Sequence, residues 1–183
     1  MENKKVRRIN ILALMLCVYN LYALSSDDFI IQQSINNRNV RYRPKIYLGQ
    51  NWGEAKIEDN LLKTETYKQW GTYEDVVIYY YESIEIVAAR YIPNAPYRTT
   101  VQITIIGGKY LTTKEITVGN SINDVIAIYG KSRYEQPHEG MIYSIYEIDN
   151  PYSDYMELQS IRINYVHQNG LIQRIRVSYA YSI

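Results

Sequence analysis

The stretch Val118–Gly130, VGNSINDVIAIYG, carries the clearest structural signal in the chain. Ser121 is suited to cap a helix, and Asp124 lies three residues later, where its carboxylate can bond back to the Ser121 amide. Apolar residues then follow at the i, i+3, i+4 and i+7 spacing of one helix face: Ile122, Val125, Ile126 and Tyr129. Gly130 is a typical residue for ending a helix. The stretch therefore predicts a helix of about nine residues that needs a sheet beneath it.

Gly130 is followed by Lys131 and Ser132, the residues that also end a phosphate-binding loop. That loop requires another glycine where this chain has Val125, and it requires a helix after the Gly-Lys pair rather than before it. A glycine behind a helix lies beside carbonyl groups, which do not bind phosphate. The sequence therefore predicts no nucleotide site, and we expect no cofactor.

A weaker copy of the pattern occurs around Gly49, in the segment 46–62, IYLGQNWGEAKIEDNLL. When Gly49 is aligned with Gly119, Asn51 takes the position of the cap, and an acidic residue again follows three positions later. Gly53 falls inside the opening turn, which makes this copy a poorer helix. Two copies of one pattern indicate an internal tandem repeat.

Segments rich in β-branched and aromatic residues follow each copy, and such segments favour strands. They are DVVIYYYES, IEIVAARYI and YRTTVQITII in the first half, and MIYSIYEID, MELQSIRINYVH and LIQRIRVSYAYS in the second. We therefore predict an α+β fold made of two αβββ-like repeats, at 44–112 and 113–183, with short helices packed on antiparallel sheet. The polar residues 26–43 are expected to form a lead-in to the first repeat.

The second copy resembles the helix start of the β-lactamase-inhibitor-like modules and of the related SmpA/OmlA envelope lipoproteins. The resemblance is carried by Val118, Gly119, Ser121, Asp124, Val125, Tyr129 and Gly130, and it extends over about 46–183. It implies an exported tandem-repeat module that binds protein partners through an aromatic-rich sheet face. The first copy departs from the family pattern at Asn51 and Ala55. No partner-specific residue is carried over, and inhibition of β-lactamase does not follow.

The first 25 residues have the pattern of a secretory signal peptide. A basic start is followed by an apolar run at 9–19, and Ala23-Leu24-Ser25 places small residues before a cut. Cys17 offers a lipidation alternative, although the bulky Leu16 fits lipoprotein cleavage poorly. We expect an exported protein, periplasmic or extracellular, that contacts a membrane only through an uncleaved or lipidated N-terminus.

The composition excludes several kinds of activity. The formal net charge is +1, and loss of the basic leader leaves the rest slightly acidic, so no general attraction to nucleic acid is expected. Cys17 is the single cysteine, so the remainder of the chain cannot form a disulfide or a cysteine-ligated zinc site. The 21 tyrosines suit both half-buried strands and contact surfaces.

The residues that most often carry catalysis are sparse. His138 and His167 have no second ligand at a metal-binding spacing, and we expect no metal site. The acidic pairs Asp27-Asp28, Glu58-Asp59 and Glu74-Asp75 have the pattern of solvated charges. The sequence therefore favours a protein that is not an enzyme. A cell-wall hydrolase is the rival hypothesis, and it requires distant carboxylates to converge.

The last hairpin contains the strongest binding candidates. A three-residue turn at 168–170 pairs Ile163 with Ile175 and gathers apolar residues on one face, whereas a two-residue turn places Asn164 opposite Ile175. We favour the three-residue turn for that reason. The other face then carries three arginines.

Arginine and tyrosine are favoured at protein interfaces. The candidate partner-binding residues are Arg162, Arg174, Arg176, Tyr143, Tyr146 and Tyr165. We expect non-catalytic binding of another envelope protein, in the manner of a protein-binding or inhibitor-like module. An envelope-assembly lipoprotein and a saccharide binder are the remaining alternatives.

Overall fold

A computed structural model describes residues 30–33, 45–70, 73–90, 96–149 and 160–180. The predicted signal peptide, with Cys17, and all but 30–33 of the predicted lead-in lie outside these residues. Within the described part, 61% of the residues are in strands and there is one α-helix. The predicted α+β class is therefore wrong, because the described chain is mostly β.

Strands occupy most of the described chain, and a single α-helix interrupts them. In chain order the elements are β1 Ile31–Gln33, β2 Lys45–Ile46, a 3-10 helix Trp52–Glu54, β3 Leu61–Trp70, β4 Tyr73–Tyr81, β5 Ile84–Arg90, β6 Thr99–Ile105, β7 Tyr110–Thr112, α1 Ile122–Tyr129, β8 Tyr134–His138, β9 Met141–Asp149, β10 Ser160–Gln168 and β11 Leu171–Tyr179.

The main feature is an eight-stranded antiparallel sheet in the order β3-β4-β5-β6-β11-β10-β9-β8. Each half of the chain supplies four successive strands, and the two halves meet where β6 pairs with β11. The predicted repeats had three strands each. The strands that they lack are β3 and β8, the two edges of the sheet.

Both edge strands lack the apolar alternation by which buried strands are recognised. Eight of the ten residues of β3 are exposed. All five residues of β8 are exposed, and Pro137 lies within that strand. Proline and charged residues are typical of strands at the edge of a sheet. The sequence pattern therefore identified the inner strands and missed the outer ones.

The helix start was predicted well in the second half and poorly in the first. In α1, the Ser121 side chain and the Asp124 carboxylate form a complete capping box. In the first half, Asn51 accepts a bond from the Gly53 N–H at 3.1 Å, but only one 3-10 turn forms. Ala55 is already extended, with φ −69° and ψ 126°. Glycine inside a helix costs about 1 kcal/mol relative to alanine, and this weakens the first copy.

The two turns nevertheless make equivalent hydrogen bonds. In each, a glycine with positive φ docks on the first part of the fourth strand of its half, Gly49 at φ 79° and Gly119 at φ 92°. The bonds are Gly49 N–H to Thr100 O at 2.7 Å and Thr100 N–H to Gln50 O at 2.9 Å, and Gly119 N–H to Ile172 O at 2.8 Å and Ile172 N–H to Asn120 O at 2.9 Å.

One face of the large sheet forms the main core. A smaller three-stranded sheet, β2-β1-β7, and the apolar side of α1 share this core with it. Ile31 is fully buried there, so part of the expected lead-in is a structural strand. The fully buried core residues of the inner strands include Ile84, Ile86, Ile103, Ile105, Ile163, Tyr165, Ile175 and Val177.

The last hairpin has a different register from the one we favoured. Gln168 pairs with Leu171, so the turn is the two-residue Asn169-Gly170, and both turn residues have positive φ. A bulge next to His167 then shifts the pairing, which sets Ile163 opposite Val177. The apolar residues of the two strands do share one face. The two-residue turn alone would pair apolar with polar residues, and the extra residue of the bulge shifts the pairing by one position, which brings apolar residues opposite each other.

Candidate functional site

The candidate site lies on the face of the large sheet opposite the main core. Side chains alternate along a strand, so the burial of Ile163 and Tyr165 in the core directs the residues between and beside them to the other face. We call this surface the arginine face. It is defined by Tyr143 and Ile145 of β9, Arg162, Asn164 and Val166 of β10, and Arg174 and Arg176 of β11.

Arg176 occupies the middle of the sheet. One row of directly paired residues crosses all eight strands from edge to edge, and it consists of Lys63, Tyr80, Glu85, Thr104, Arg176, Asn164, Ile145 and Tyr134. Arg176 is flanked in this row by the buried Thr104 and by Asn164. Its guanidinium is partly desolvated at this position.

Arg162 is neutralised within the chain. Its Nε and Nη2 donate to the Glu147 carboxylate at 3.0 and 2.8 Å. Ser160 donates to the other carboxylate oxygen at 2.6 Å. Burial by itself would raise the pKa of Glu147, but these hydrogen bonds outweigh it and hold that pKa below its usual value. Of the three predicted arginines, Arg162 is therefore not available to a partner as an unpaired cation.

Arg174 and Arg176 differ from Arg162. Within the described residues neither forms an ion pair or a hydrogen bond, and the Nε of Arg176 is buried without an acceptor. Burial, and then the charge of Arg174, lower the pKa of Arg176. An arginine side chain stays protonated in proteins, so two cations stand side by side. Asn164, directly opposite Arg176, has a buried Oδ1 that no described donor reaches.

A groove adjoins Arg162 at the β8 end of the sheet. Its volume is about 640 Å³, and Arg162 and Ile145 are among its lining residues. Tyr134, which also lines it, is 65% exposed. The arginine face is therefore open to solvent at this end.

The predicted tyrosines divide between the two faces. Tyr143 lies on the arginine face and is partly buried. Tyr146 and Tyr165 lie in the main core, at 6% and 0% exposure. The Tyr146 hydroxyl donates to Gly130 O at 2.9 Å and so ties β9 to the end of α1. Positions 143 and 146 are an odd number of residues apart, which places them on opposite faces of a strand. Tyr146 and Tyr165 are removed from the candidate surface.

Two features on this side of the large sheet could not be identified from the sequence. One is Asn164, whose buried Oδ1 has no hydrogen-bond partner among the described residues. The other is a carboxylate cluster on the β3 side, where Glu65 accepts bonds from Lys63 at 2.7 Å, Tyr67 at 2.8 Å and Tyr80 at 2.9 Å. These bonds lower the pKa of Glu65 to about 2. The spacing of Lys63, Glu65 and Tyr67 at every second residue is a signal for this cluster, once β3 is known to be a strand.

The described residues with catalytic chemistry are held in structural contacts. Ser144 lies 3.0 Å from Nε2 of His167, but both side chains are buried. Burial lowers the pKa of His167, and no described residue bonds its Nδ1. Asp59 binds Lys109 at 3.0 Å and the Ser83 N–H at 2.9 Å, and Asp75 binds Arg98 at 2.6 Å. These groups stabilise the fold where they are, and His138 lies exposed beside Glu139.

Groups of three or more metal-ligating side chains do not occur among the described residues. Within the same residues, the single α-helix is not long and apolar enough to cross a membrane.

Comparison with known protein families found no family that matches this chain. Searches of curated proteins and of solved structures found no match either. The resemblance to the β-lactamase-inhibitor-like modules therefore rests on the sequence motif alone.

Proposed function

We propose that this chain is a non-catalytic, exported protein of the cell envelope that binds another protein through the arginine face. The motif resemblance supports the general role, since that family binds proteins through a sheet face. The observation that carries the proposal is a pair of buried polar atoms at the centre of this face, Arg176 Nε and Asn164 Oδ1, that have no partner among the described residues. Buried polar groups are nearly always hydrogen-bonded, so we expect a bound partner to complete both bonds once these side chains turn towards it.

The composition of the face supports a protein partner over a small molecule. Arginine and tyrosine contribute much of the binding energy at protein interfaces. Here Tyr143 lies on β9, and Arg174 and Arg176 lie on β11, the two strands that flank β10. An open groove borders the arginine face on its β8 side, beside Arg162 and Ile145. A broad sheet surface of this kind suits a partner of similar extent.

The proposal can be tested by site-specific photo-crosslinking in the native envelope. A benzophenone amino acid replaces Tyr143 in one variant and Tyr47 in a matched control. Tyr47 is 46% exposed and follows β2, in the part of the chain that packs against the core face. We expect a discrete protein adduct from position 143 and none from position 47.

A second pair of variants tests whether the arginines matter. The double change Arg174→Gln and Arg176→Gln should reduce the yield of the adduct at least several-fold, while Lys114→Gln, at an exposed position outside the sheet, should not. Equal adducts from both crosslinker positions, or a yield that the double change leaves unaltered, would contradict the proposed function.

A further inference from the structure

We infer that Arg174 and Arg176 bind side-chain carboxylates of an acidic segment in the partner protein, and that Asn164 accepts a hydrogen bond from the same segment. This inference rests on the proposed function and specifies the chemistry of the partner. It follows from three features of the arginine face: which charges are already paired, which atoms are desolvated, and which bonds the chain leaves unmade.

The charges on this face are paired unevenly. Arg162 has its carboxylate, Glu147, at 2.8 Å. Arg174 and Arg176 are two residues apart on β11, so their side chains project from the same face. Two like charges this close to each other repel. Within the described residues, no carboxylate bonds to either of them, and an external anion would remove the repulsion.

Glu85, a described acid on this side of the sheet, does not supply that anion. Glu85 lies in the same row as Arg176, with Thr104 between them. It contributes a weak attraction to Arg176, yet it forms no ion pair with it. The Glu65 cluster shows the opposite situation on the same face, because three donors from this chain satisfy that carboxylate. The part of the chain that the structure describes therefore satisfies its carboxylate cluster and gives its arginine pair no counter-ion.

Desolvation makes the open arginines responsive to a carboxylate. A charge-assisted bond from a guanidinium is about twice as strong as a neutral one, and it gains strength where water is excluded. The buried Nε of Arg176 needs an acceptor, and the buried Oδ1 of Asn164 needs a donor. An acidic peptide offers both, since its carboxylate accepts and its backbone N–H donates. Inorganic phosphate at neutral pH offers chiefly acceptors.

The experiment follows the arginine side chains directly. Protein labelled with ¹⁵N is titrated with acetyl-Glu-Glu-Glu-Glu-amide, and the Nε–Hε signals of the arginines are recorded by NMR. Acetyl-Gln-Gln-Gln-Gln-amide is the matched uncharged control, and sodium phosphate is the control for an inorganic anion. We expect the glutamate peptide to move the signals of Arg174 and Arg176 and to leave that of Arg162 in place.

Variants separate binding from folding. The double variant Arg174→Gln, Arg176→Gln should bind the glutamate peptide with an affinity about tenfold lower, or weaker still. The charge-preserving change of both residues to lysine should retain part of the affinity, and Arg162→Gln should retain most of it. Equal shifts with the glutamine peptide, equal shifts with phosphate, or no shift of Arg174 and Arg176 would each overturn the inference.

The two proposals fail in different ways. A protein adduct from position 143 without any response to the glutamate peptide overturns the carboxylate inference and leaves the proposed function standing. Peptide-dependent shifts without a protein adduct support a carboxylate site and contradict the proposed protein partner.

Discussion

The two halves of the large sheet start in the same way and then diverge. In both, a glycine with positive φ docks through paired backbone bonds on the fourth strand of its half. Only the second half continues into an α-helix, whereas the first extends again after one 3-10 turn. Four strands nevertheless follow in each half. The docked turn and the sheet are therefore common to both halves, and the helix is an addition to one of them.

The face of the large sheet opposite the main core shows a second contrast between the halves. On the β3 side, a carboxylate is fully satisfied by its own chain. On the β11 side, two cations and an amide oxygen have no partner among the described residues. Proteins depart from internal consistency mainly at functional sites. For this reason we expect the proposed binding function to reside in the second half of the chain.

The largest effect is expected where the halves join. Ile103 is fully buried on β6 and pairs with Val177 of β11. Ile103→Ala should lower the free energy of unfolding by about 3–4 kcal/mol, because the cavity cannot collapse between two inner strands. Both tryptophans lie in the first half, so their fluorescence reports that half while far-UV circular dichroism reports the whole sheet.

Urea unfolding followed by both signals should give coincident transitions if the halves fold as one unit. Leu62→Ala, at a position that is 63% exposed on β3, is the control and should change stability little. Two separated transitions would show that the halves are independent.

The second-largest loss of stability is expected on replacing the two docked glycines, Gly49 and Gly119. Gly119→Ala places a side chain at φ 92°, with open space around the new Cβ, and should cost about 1–2 kcal/mol. Gly49→Ala should cost more, since the new Cβ would also lie 3.2 Å from the Tyr179 hydroxyl. Gly53→Ala has ordinary φ and is the control. Thermal unfolding measures all three. A loss at only one of the two docked glycines would show that the turns are not equivalent.

The capping box should have a moderate effect that is specific to the second half. Ser121→Ala removes the bond that the Asn123 N–H donates at 3.1 Å, and it should cost about 1 kcal/mol. Asn123→Ala keeps that backbone donor and changes only an exposed side chain, so it should be nearly neutral. Chemical denaturation of both variants measures the difference. Equal losses would mean that the cap does not stabilise α1.

The smallest effect concerns the satisfied carboxylate of the first half. Because the pKa of Glu65 is lowered from 4.5 to about 2, its ionised form stabilises the fold above pH 4.5, and this stabilisation is lost as the pH falls towards 2. The Glu65 side chain is solvated, so the change is about one degree in Tm. Between pH 4.5 and 2, the Tm of the wild-type protein should fall further than the Tm of the Glu65→Gln variant. Parallel pH profiles of the two proteins would contradict the assignment.

Much of the second half could be predicted from its sequence. Ser121, Asp124 and Gly130 specify the ends of α1, and the apolar residues of β10 and β11 do share a face. The exact register could not be predicted, because a two-residue turn with a bulge produces the same apolar face as a longer turn. The edge strands were missed because exposed strands carry no apolar pattern, and the fold class was missed with them.

The candidate site was predictable in part. The alternation of β11 placed Arg174 and Arg176 on one face correctly. The pairing of Arg162 with Glu147 depends on the alignment of β9 with β10, two strands joined by residues that carry no register signal. The burial of Tyr146 and Tyr165 depends on which face of the sheet α1 covers. Both the ion pair and the burial of the tyrosines depend on the assembled sheet, and a local sequence motif does not predict either of them.

The most direct test of the open arginine site compares the unfolding free energies of Arg176→Met and Arg162→Met in the absence of any partner. Methionine keeps an apolar stem in either position and removes the charge. Arg176→Met should be more stable than wild type by about 1 kcal/mol, because it removes a desolvated cation without a counter-ion. Arg162→Met should be slightly less stable, because it leaves Glu147 unpaired. A loss of stability in Arg176→Met as large as that in Arg162→Met would show that Arg176 is satisfied within the fold, and would contradict a site built to receive an acidic partner.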